Sequence, residues 1–368
     1  MDFQIEHDEN AVSPDWDAFV VKCAVPHFEQ TTLWGQVKAP GGWKASRVIV
    51  RVGGQICAGA QVLSRKIRFG GAIGYIFRGP LATSEEPVVL RQVAAALKAH
   101  ALQQRVSCLI VVPPYRSFPL VEELGREGFG EHPDFLPPTG IMQGTAVLDL
   151  RPDLGAIFAN VSPDTRRNIR RGQNNGVTVR PGVRAELKIF WDLLMALCSR
   201  RNTHSNVPGL EFLETLWDVF HPNDAIQLYF GEVAGAPVSA QIVLRTGSWA
   251  SAWRVGWSGE HPKLCPSKVV YWEAIRASKA AGAQFFDFLQ VDPHVAELIA
   301  AGQPFDHLPM AGLTQHKLCF GPEFWRIPPT MNLFPSATPR LLMNLGGNAV
   351  LNSHLARKTF EFMRRLRR

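Results

Sequence analysis

Ile226-Gln-Leu-Tyr-Phe-Gly-Glu-Val-Ala-Gly-Ala-Pro-Val-Ser-Ala-Gln-Ile-Val-Leu-Arg-Thr-Gly-Ser-Trp-Ala-Ser-Ala-Trp-Arg-Val255 reads as three successive strands, Ile226 to Val233, Val238 to Arg245 and Trp249 to Val255, with Gly235 and Gly247 at the turns. Glycine at a hairpin tip supplies the positive φ that the favoured tight turns require. Working outward, a helix over Val269 to Ala281 and a strand over Gln284 to Phe288 follow, and helices over Leu187 to Ser199 and Leu210 to Phe220 precede. The first half has the same order: a short helix near Asp15 to Cys23, a hairpin from Ser46 to Leu63 around Gly53-Gly54, a helix from Val88 to Gln104 and an apolar strand from Cys108 to Val112. The order of elements recurs without a close sequence repeat. The expectation is an α/β (α+β) chain of two similar domains, 1–150 and 151–335, with a C-terminal segment 336–368.

The 368 residues are 46% hydrophobic, which suits two folded cores and excludes a disordered chain. A formal net charge of +7 favours an anionic partner, without choosing among nucleic acid, a phosphorylated substrate and an acidic membrane surface. The start, Met1 to Asn10, is acidic, and no apolar run approaches the roughly 20 residues of a membrane span, so a cytoplasmic protein is expected. Cys23, Cys57, Cys108, Cys198, Cys265 and Cys319 form no Cys-x-x-Cys pair and have no zinc-like His spacing; buried reduced thiols and no metal are expected.

Two segments carry the chemistry. In Ser162-Pro-Asp-Thr-Arg-Arg-Asn-Ile-Arg-Arg-Gly172 a helix start is followed by Arg166, Arg167, Arg170 and Arg171, a set of guanidiniums suited to phosphate groups. Arg167 and Arg171 share one face, and Arg166 and Arg170 form the neighbouring row. In Gln315-His-Lys-Leu-Cys-Phe-Gly321, Lys317 precedes an apolar, strand-like step closed by Gly321, and a cation held there can stabilise an oxyanion. Asp287 at a strand end is placed either to position an amine or to cap nearby backbone. Tyr75 and Tyr271 either line a site or pack in the core, and Arg254 either projects into a cleft or follows a tryptophan face formed by Trp249, Trp253 and Trp257. The tail from His354 to Arg368 is basic and amphipathic, fitting either an anionic membrane surface or a docking helix.

The chain resembles the Fem-type aminoacyltransferases, which build peptidoglycan interpeptide bridges from aminoacyl-tRNA on two fused acetyltransferase-like (GNAT) domains. Phe28-Glu-Gln-Thr-Thr-Leu-Trp-Gly-Gln-Val-Lys38 is similar to the family's opening element, and Tyr75-Ile-Phe-Arg-Gly-Pro80 to its "Y-x-P-R-G-P" strand end. Thr165-Arg-Arg-Asn-Ile-Arg-Arg-Gly172 with Gly176-Val177, Phe286-Asp287-Phe288 and His316-Lys-Leu-Cys-Phe-Gly321 follow in family order. The resemblance implies two tandem GNAT-like domains, each a mixed, mostly antiparallel sheet flanked by helices. It implies that Lys38, Arg78 and the arginine helix hold substrate phosphates and that Lys317 faces the reacting ester. Two departures stand out: Leu81-Ala82-Thr83-Ser84 where members acting on peptidoglycan precursors commonly carry an Asp after Gly-Pro, and Phe288-Leu289-Gln290-Val291 where glycines are usual.

The implied function is transfer of an aminoacyl group from aminoacyl-tRNA, as co-substrate and with no cofactor, to an amine of a cell-wall precursor or another small, phosphorylated or lipid-linked acceptor. An aminoacyl ester is already activated, so neither a triad nor a metal is needed. The rival enzyme is an acyl-CoA-dependent N-acyltransferase. Its glycine-rich pyrophosphate turn is absent from Arg78 to Glu86 and from His261 to Lys268, where Pro80, Pro262 and Pro266 intervene. A third reading is a non-catalytic RNA-binding or scaffold protein on the same fold.

Overall fold

The computed structural model describes residues 2–66, 71–133, 140–308 and 310–335, so the tail assigned to 336–368 lies outside the described residues. The chain opens with β1 (Phe3–Asp8), α1 (Pro14–Lys22), α2 (Thr32–Lys38), β2 (Lys44–Val52), β3 (Gln55–Lys66), β4 (Ala72–Phe77) and β5 (Leu81–Ala82). It continues with α3 (Pro87–Gln103), β6 (Val106–Val112), α4 (Phe118–Arg126), β7 (Gly130–Glu131), β8 (Gly144–Asp149), α5 (Leu154–Asn160), α6 (Pro163–Asn174) and β9 (Val177–Pro181). Then come α7 (Leu187–Arg200), α8 (Leu210–Phe220), β10 (Ile226–Val233), β11 (Ala236–Thr246), β12 (Trp249–Trp257) and α9 (Pro266–Ala280). The last elements described are β13 (Phe285–Asp287), α10 (Pro293–Ala300), α11 (Ala311–Leu318), β14 (Glu323–Arg326) and β15 (Met331–Leu333).

Two compact units result, and they are not contiguous halves of the chain. One comprises the segment up to Trp16, Lys38–Ile141 and the segment from Pro328 onward; the other comprises Asp17–Val37 and Met142–Ile327. A boundary near Arg151 differs from this because β8 pairs with β13 and β14 in the second sheet, while β15 pairs with β6 in the first. Backbone hydrogen bonding, which sequence spacing does not reveal, assigns those strands.

The first unit holds a sheet ordered β1-β2-β3-β4-β6-β15-β7, with β5 on β3. Gly53 and Gly54, with φ of 58° and 80°, close the β2–β3 hairpin in the left-handed conformations that a tight two-residue turn requires. Only β4 and β6 run parallel among the described neighbours of this sheet. Val89, Leu90, Val93 and Leu97 make one apolar stripe of α3 and meet Val48, Val50, Ala60 and Val62 in the core.

The second unit repeats the plan with a sheet ordered β14-β8-β13-β12-β11-β10-β9. Its parallel pair is β12–β13, and that ladder ends at Ser251↔Asp287 while β12 runs on to Trp257. The parallel pairing therefore ends at Asp287, and β12 runs on paired with β11. A β-bulge in the β11–β12 ladder between Ile242 and Val243 lies at the same level. Tyr271, Ile275, Phe286, Phe288 and Phe320 fill the core beneath. Lys317 sits in the last turn of helix α11, not beside a strand: Ala311, Thr314 and Lys317 recur at helical spacing and form its buried face. Of the cysteines, Cys23 and Cys108 are buried, whereas Cys57, Cys198, Cys265 and Cys319 are only partly so.

Candidate active site

Lys317 is 7% exposed, and its ammonium donates to the Gln290 carbonyl at 2.6 Å and the Leu289 carbonyl at 3.4 Å. These carbonyls belong to the chain just past β13, where Phe288-Leu289-Gln290-Val291 leaves the sheet. Leu289 has φ 58°, a left-handed conformation unusual for a leucine, and it accompanies the turn of those carbonyls toward the lysine. Asp287, 1% exposed, accepts from the Thr145 hydroxyl at 2.5 Å and from the Leu289 backbone N–H at 2.8 Å. Asp287 thus caps the turn that holds Lys317. Burial lowers the Lys317 pKa to about 7; the nearby Asp287 carboxylate opposes the shift, and Arg254 and Arg201 add to it.

A cavity of about 180 Å³ lies in the same unit, lined by Arg201 of the α7 end, Val255 and Trp257 of β12, Ser267, Lys268 and Tyr271 of α9, and His316 of α11. Its lining contains three basic side chains and no carboxylate. His316 is kept neutral, its pKa lowered to about 3 by burial and further by Lys268, Arg201 and Lys317. Tyr271 stacks on Phe288 at 5.7 Å and meets His316 edge-on at 5.3 Å, and burial pushes its phenol up. It therefore both packs in the core and lines the cavity. Lys268 at the start of α9 donates to Thr165 of α6 at 3.0 Å.

Arg254 reaches back over Trp253, with its guanidinium 4.7 Å from the ring, and donates to Asn206 at 2.6 Å; burial lowers its pKa to about 10. It joins the Lys317 neighbourhood electrostatically. The arginine helix divides. Arg171 donates to Asn168 at 2.8 Å and approaches the sulfur of Cys265, a cavity-lining residue, at 3.6 Å. Arg167 pairs with Asp164 on the exposed surface, so the helix carries an acid that offsets one of its cations. Arg166 turns back to the Ala159 carbonyl, and Arg170 lies over Phe158 at 5.3 Å.

The other candidates belong to the first unit. Lys38 ends α2, 5.9 Å from the Trp43 ring. Tyr75 lies on β4, 5.9 Å from Phe77, and Arg78 follows that strand, 2% exposed. The structure thus brings Lys317, Asp287, Arg254, Tyr271 and, at the rim, Arg171 into one neighbourhood. Sequence reasoning overlooked Arg201 and His316 there. His316 adjoins Lys317, and only the helical turn of α11 shows that the two neighbours face different surroundings.

An acetyltransferase (GNAT) domain family matches residues 162–294. Lipid II:glycine glycyltransferases of two Staphylococcus aureus strains are 22% identical over 224 residues, covering 58% of this chain and 52% of theirs. The chain thus spans about half the length of the curated relatives it matches. The crystal structure of FemX superposes with a TM-score of 0.80 at 16% identity, covering 94% of this chain and all of that one. A tandem GNAT protein of the clavulanic acid biosynthesis pathway gives 0.52 at 11% identity over 90% of this chain and 99% of its own. With two mixed sheets that each contain one parallel pair, and an acetyltransferase (GNAT) domain match across the second, the chain shares the tandem GNAT fold of FemX.

Proposed function

We propose that the chain transfers an aminoacyl group from aminoacyl-tRNA to an amine of a cell-wall precursor. The observation that carries this reading is the buried Lys317, tied to the carbonyls of Leu289 and Gln290 beside Asp287, near a cavity that holds cations and no acid. The neutral acceptor amine attacks the ester carbonyl, a C–N bond forms, and negative charge gathers on the carbonyl oxygen. In its protonated form Lys317 stabilises that oxygen; the C–O bond then breaks, and the leaving ribose oxygen takes up the proton lost by the amine. A preorganised cation at a developing oxyanion contributes on the order of 3–4 kcal/mol. Arg201, Lys268 and Arg171 suit the phosphates near the ester, and the glycyltransferase relatives support a lipid II-like acceptor.

Acyl-CoA is the second donor, favoured by the acetyltransferase family match. The approach to α9 speaks against it: His261 and Cys265 adopt left-handed conformations around Pro262, and no glycine lies between His261 and the first turn of α9 to admit a pyrophosphate. The test is transfer of label from a pool of charged tRNAs, compared with labelled acetyl-CoA, into cell-wall precursors, by wild type and Lys317→Ala. RNase-sensitive transfer lost in the variant is the expected result. Label arriving only from acetyl-CoA would overturn the tRNA-dependent reading.

A further inference from the structure

Cys265 opens onto the cavity of the second unit and is only partly buried. It stands directly before Pro266, the first residue of α9, with φ 50°, a left-handed conformation uncommon outside glycine. Its Sγ–H donates to the Pro262 carbonyl at 3.5 Å, and the Arg171 guanidinium approaches Sγ at 3.6 Å. Arg201 and Lys268 line the same cavity, whose lining holds no carboxylate. Three cations thus surround an accessible thiol. Cys57 and Cys319 are also partly exposed, but they donate to the Val50 and His316 carbonyls and burial pushes both thiols up.

A second, independent observation marks the cavity as a place for a ligand. Tyr271 lines it and is 3% exposed, yet its phenol makes no hydrogen bond to any described residue. The His316 ring in the same lining touches Tyr271 and Phe320 edge-on and likewise makes no hydrogen bond among the described residues. A buried hydroxyl left unpaired is unfavourable, and an acceptor atom on a bound group removes that cost. The group that satisfies this lining carries acceptor oxygens for Tyr271 and negative charge for Arg201 and Lys268.

We propose that Cys265 is a thiol-modification site for small anionic disulfides, and that the mixed disulfide so formed fills the cavity. The Cys265 sulfur, having released its proton, attacks one sulfur of the reagent. The reagent's S–S bond breaks, a new S–S bond to Cys265 forms, and the other half leaves as a thiolate that takes up a proton. Cys265 is oxidised and the departing half is reduced. Carboxylates of the attached half accept from Arg201, Lys268 and the Tyr271 phenol, and a reducing thiol reverses the reaction. Only the consequence, a block of transfer, rests on the function proposed above; the thiol site stands on its own geometry.

The test treats the full chain with oxidised glutathione, which is anionic, or with cystamine, which is cationic, and follows each cysteine by peptide mass spectrometry. Rates are taken relative to a neutral cysteine-containing peptide in the same solution, which removes the intrinsic reactivity of each reagent. At low salt the relative rate at Cys265 should be about tenfold or more higher with oxidised glutathione than with cystamine, and the gap should narrow at high salt. Arg201→Ala combined with Lys268→Ala should erase the preference. The glutathione adduct of wild type should outlast that of Tyr271→Phe against dithiothreitol by about fivefold, the range of one hydrogen bond to charge. Equal relative rates with the two reagents in wild type, a comparison that needs no variant to fold, overturn the proposal. A fully modified chain that transfers at the unmodified rate would overturn the filling of the cavity. If wild type transfers from neither donor, the proposed function fails, while the reagent preference still decides the thiol site.

Discussion

Two opposing forces meet at Lys317. Burial disfavours the ammonium, while the Leu289 and Gln290 carbonyls and Asp287 favour it, leaving a pKa of about 7 against an ordinary 10.5. Below about pH 7 both folded and unfolded chains carry the proton, and the full cost of the buried cation weighs on the fold. Between about 7 and 10.5 the folded chain has released its proton and the unfolded chain still holds one, so stability rises with pH across that window. Lys317→Met should therefore be more stable than wild type near neutrality, by on the order of a few kcal/mol, with the gain shrinking toward about pH 10. Urea denaturation of both proteins across that range measures it, and a variant less stable at every pH would overturn the account. Transfer should show the opposite loss, about 10²–10³-fold in kcat for the variant. In wild type the rate should fall on the alkaline side of about 7 as the cation is lost, and the variant should lack that fall. Lys317 is singled out through the resemblance carried by His316 to Gly321, since an isolated lysine beside an apolar stretch ordinarily reads as a surface residue. Its depth and its carbonyl partners were not legible, since they depend on the turn after β13.

Helix α6 owes its position to Ser162, whose hydroxyl accepts from the Thr165 N–H at 3.4 Å, and to Gly172, where an added Cβ would lie 2.5 Å from the Leu264 carbonyl. Close seating on the approach to α9 fixes which arginines face outward. Arg166 and Arg170 are engaged by Ala159 and Phe158, whereas Arg167 has only an exposed pair with Asp164, a contact that contributes at most about 1 kcal/mol and exchanges readily for a phosphate. Arg167→Ala combined with Arg171→Ala should weaken RNA binding and lower the slope of log affinity against log salt by about 1.4, two phosphates on a single strand. Filter binding over a salt series gives that slope directly; an unchanged slope would mean that the helix face is merely solvated. The arginine rows were legible from spacing alone, and so were the hairpins, because Gly53-Gly54 and Gly235 dictate their turns. α11 was misread because its length is short and its buried positions include a threonine and a lysine, which carry no apolar periodicity.

The two-unit plan was visible in the recurring order of elements, but the exchange of segments was not, because it rests on pairing and packing between residues far apart in the chain. Residues 17–37 belong to the second unit. Trp34 meets Phe212 at 6.1 Å and Phe220 at 6.5 Å edge-on, the Trp249 indole N–H donates to the Ala24 carbonyl at 3.2 Å, and a Cβ on Gly247 would lie 2.7 Å from the Val21 carbonyl. A fragment of residues 142–327 would lose all of these contacts at once. Losing one buried tryptophan costs roughly 3–5 kcal/mol, which alone is comparable with the stability of a typical domain. The fragment should therefore retain far-UV signal, lose the near-UV signal of its packed tryptophans and unfold without a cooperative transition. Adding the peptide of residues 17–37 in trans should restore that transition at concentrations above its dissociation constant, since a ligand of the folded state stabilises it by mass action. Cooperative unfolding of the fragment alone, with a near-UV spectrum unchanged by the peptide, would show that Trp34 and its neighbours decorate the second unit instead of completing its core.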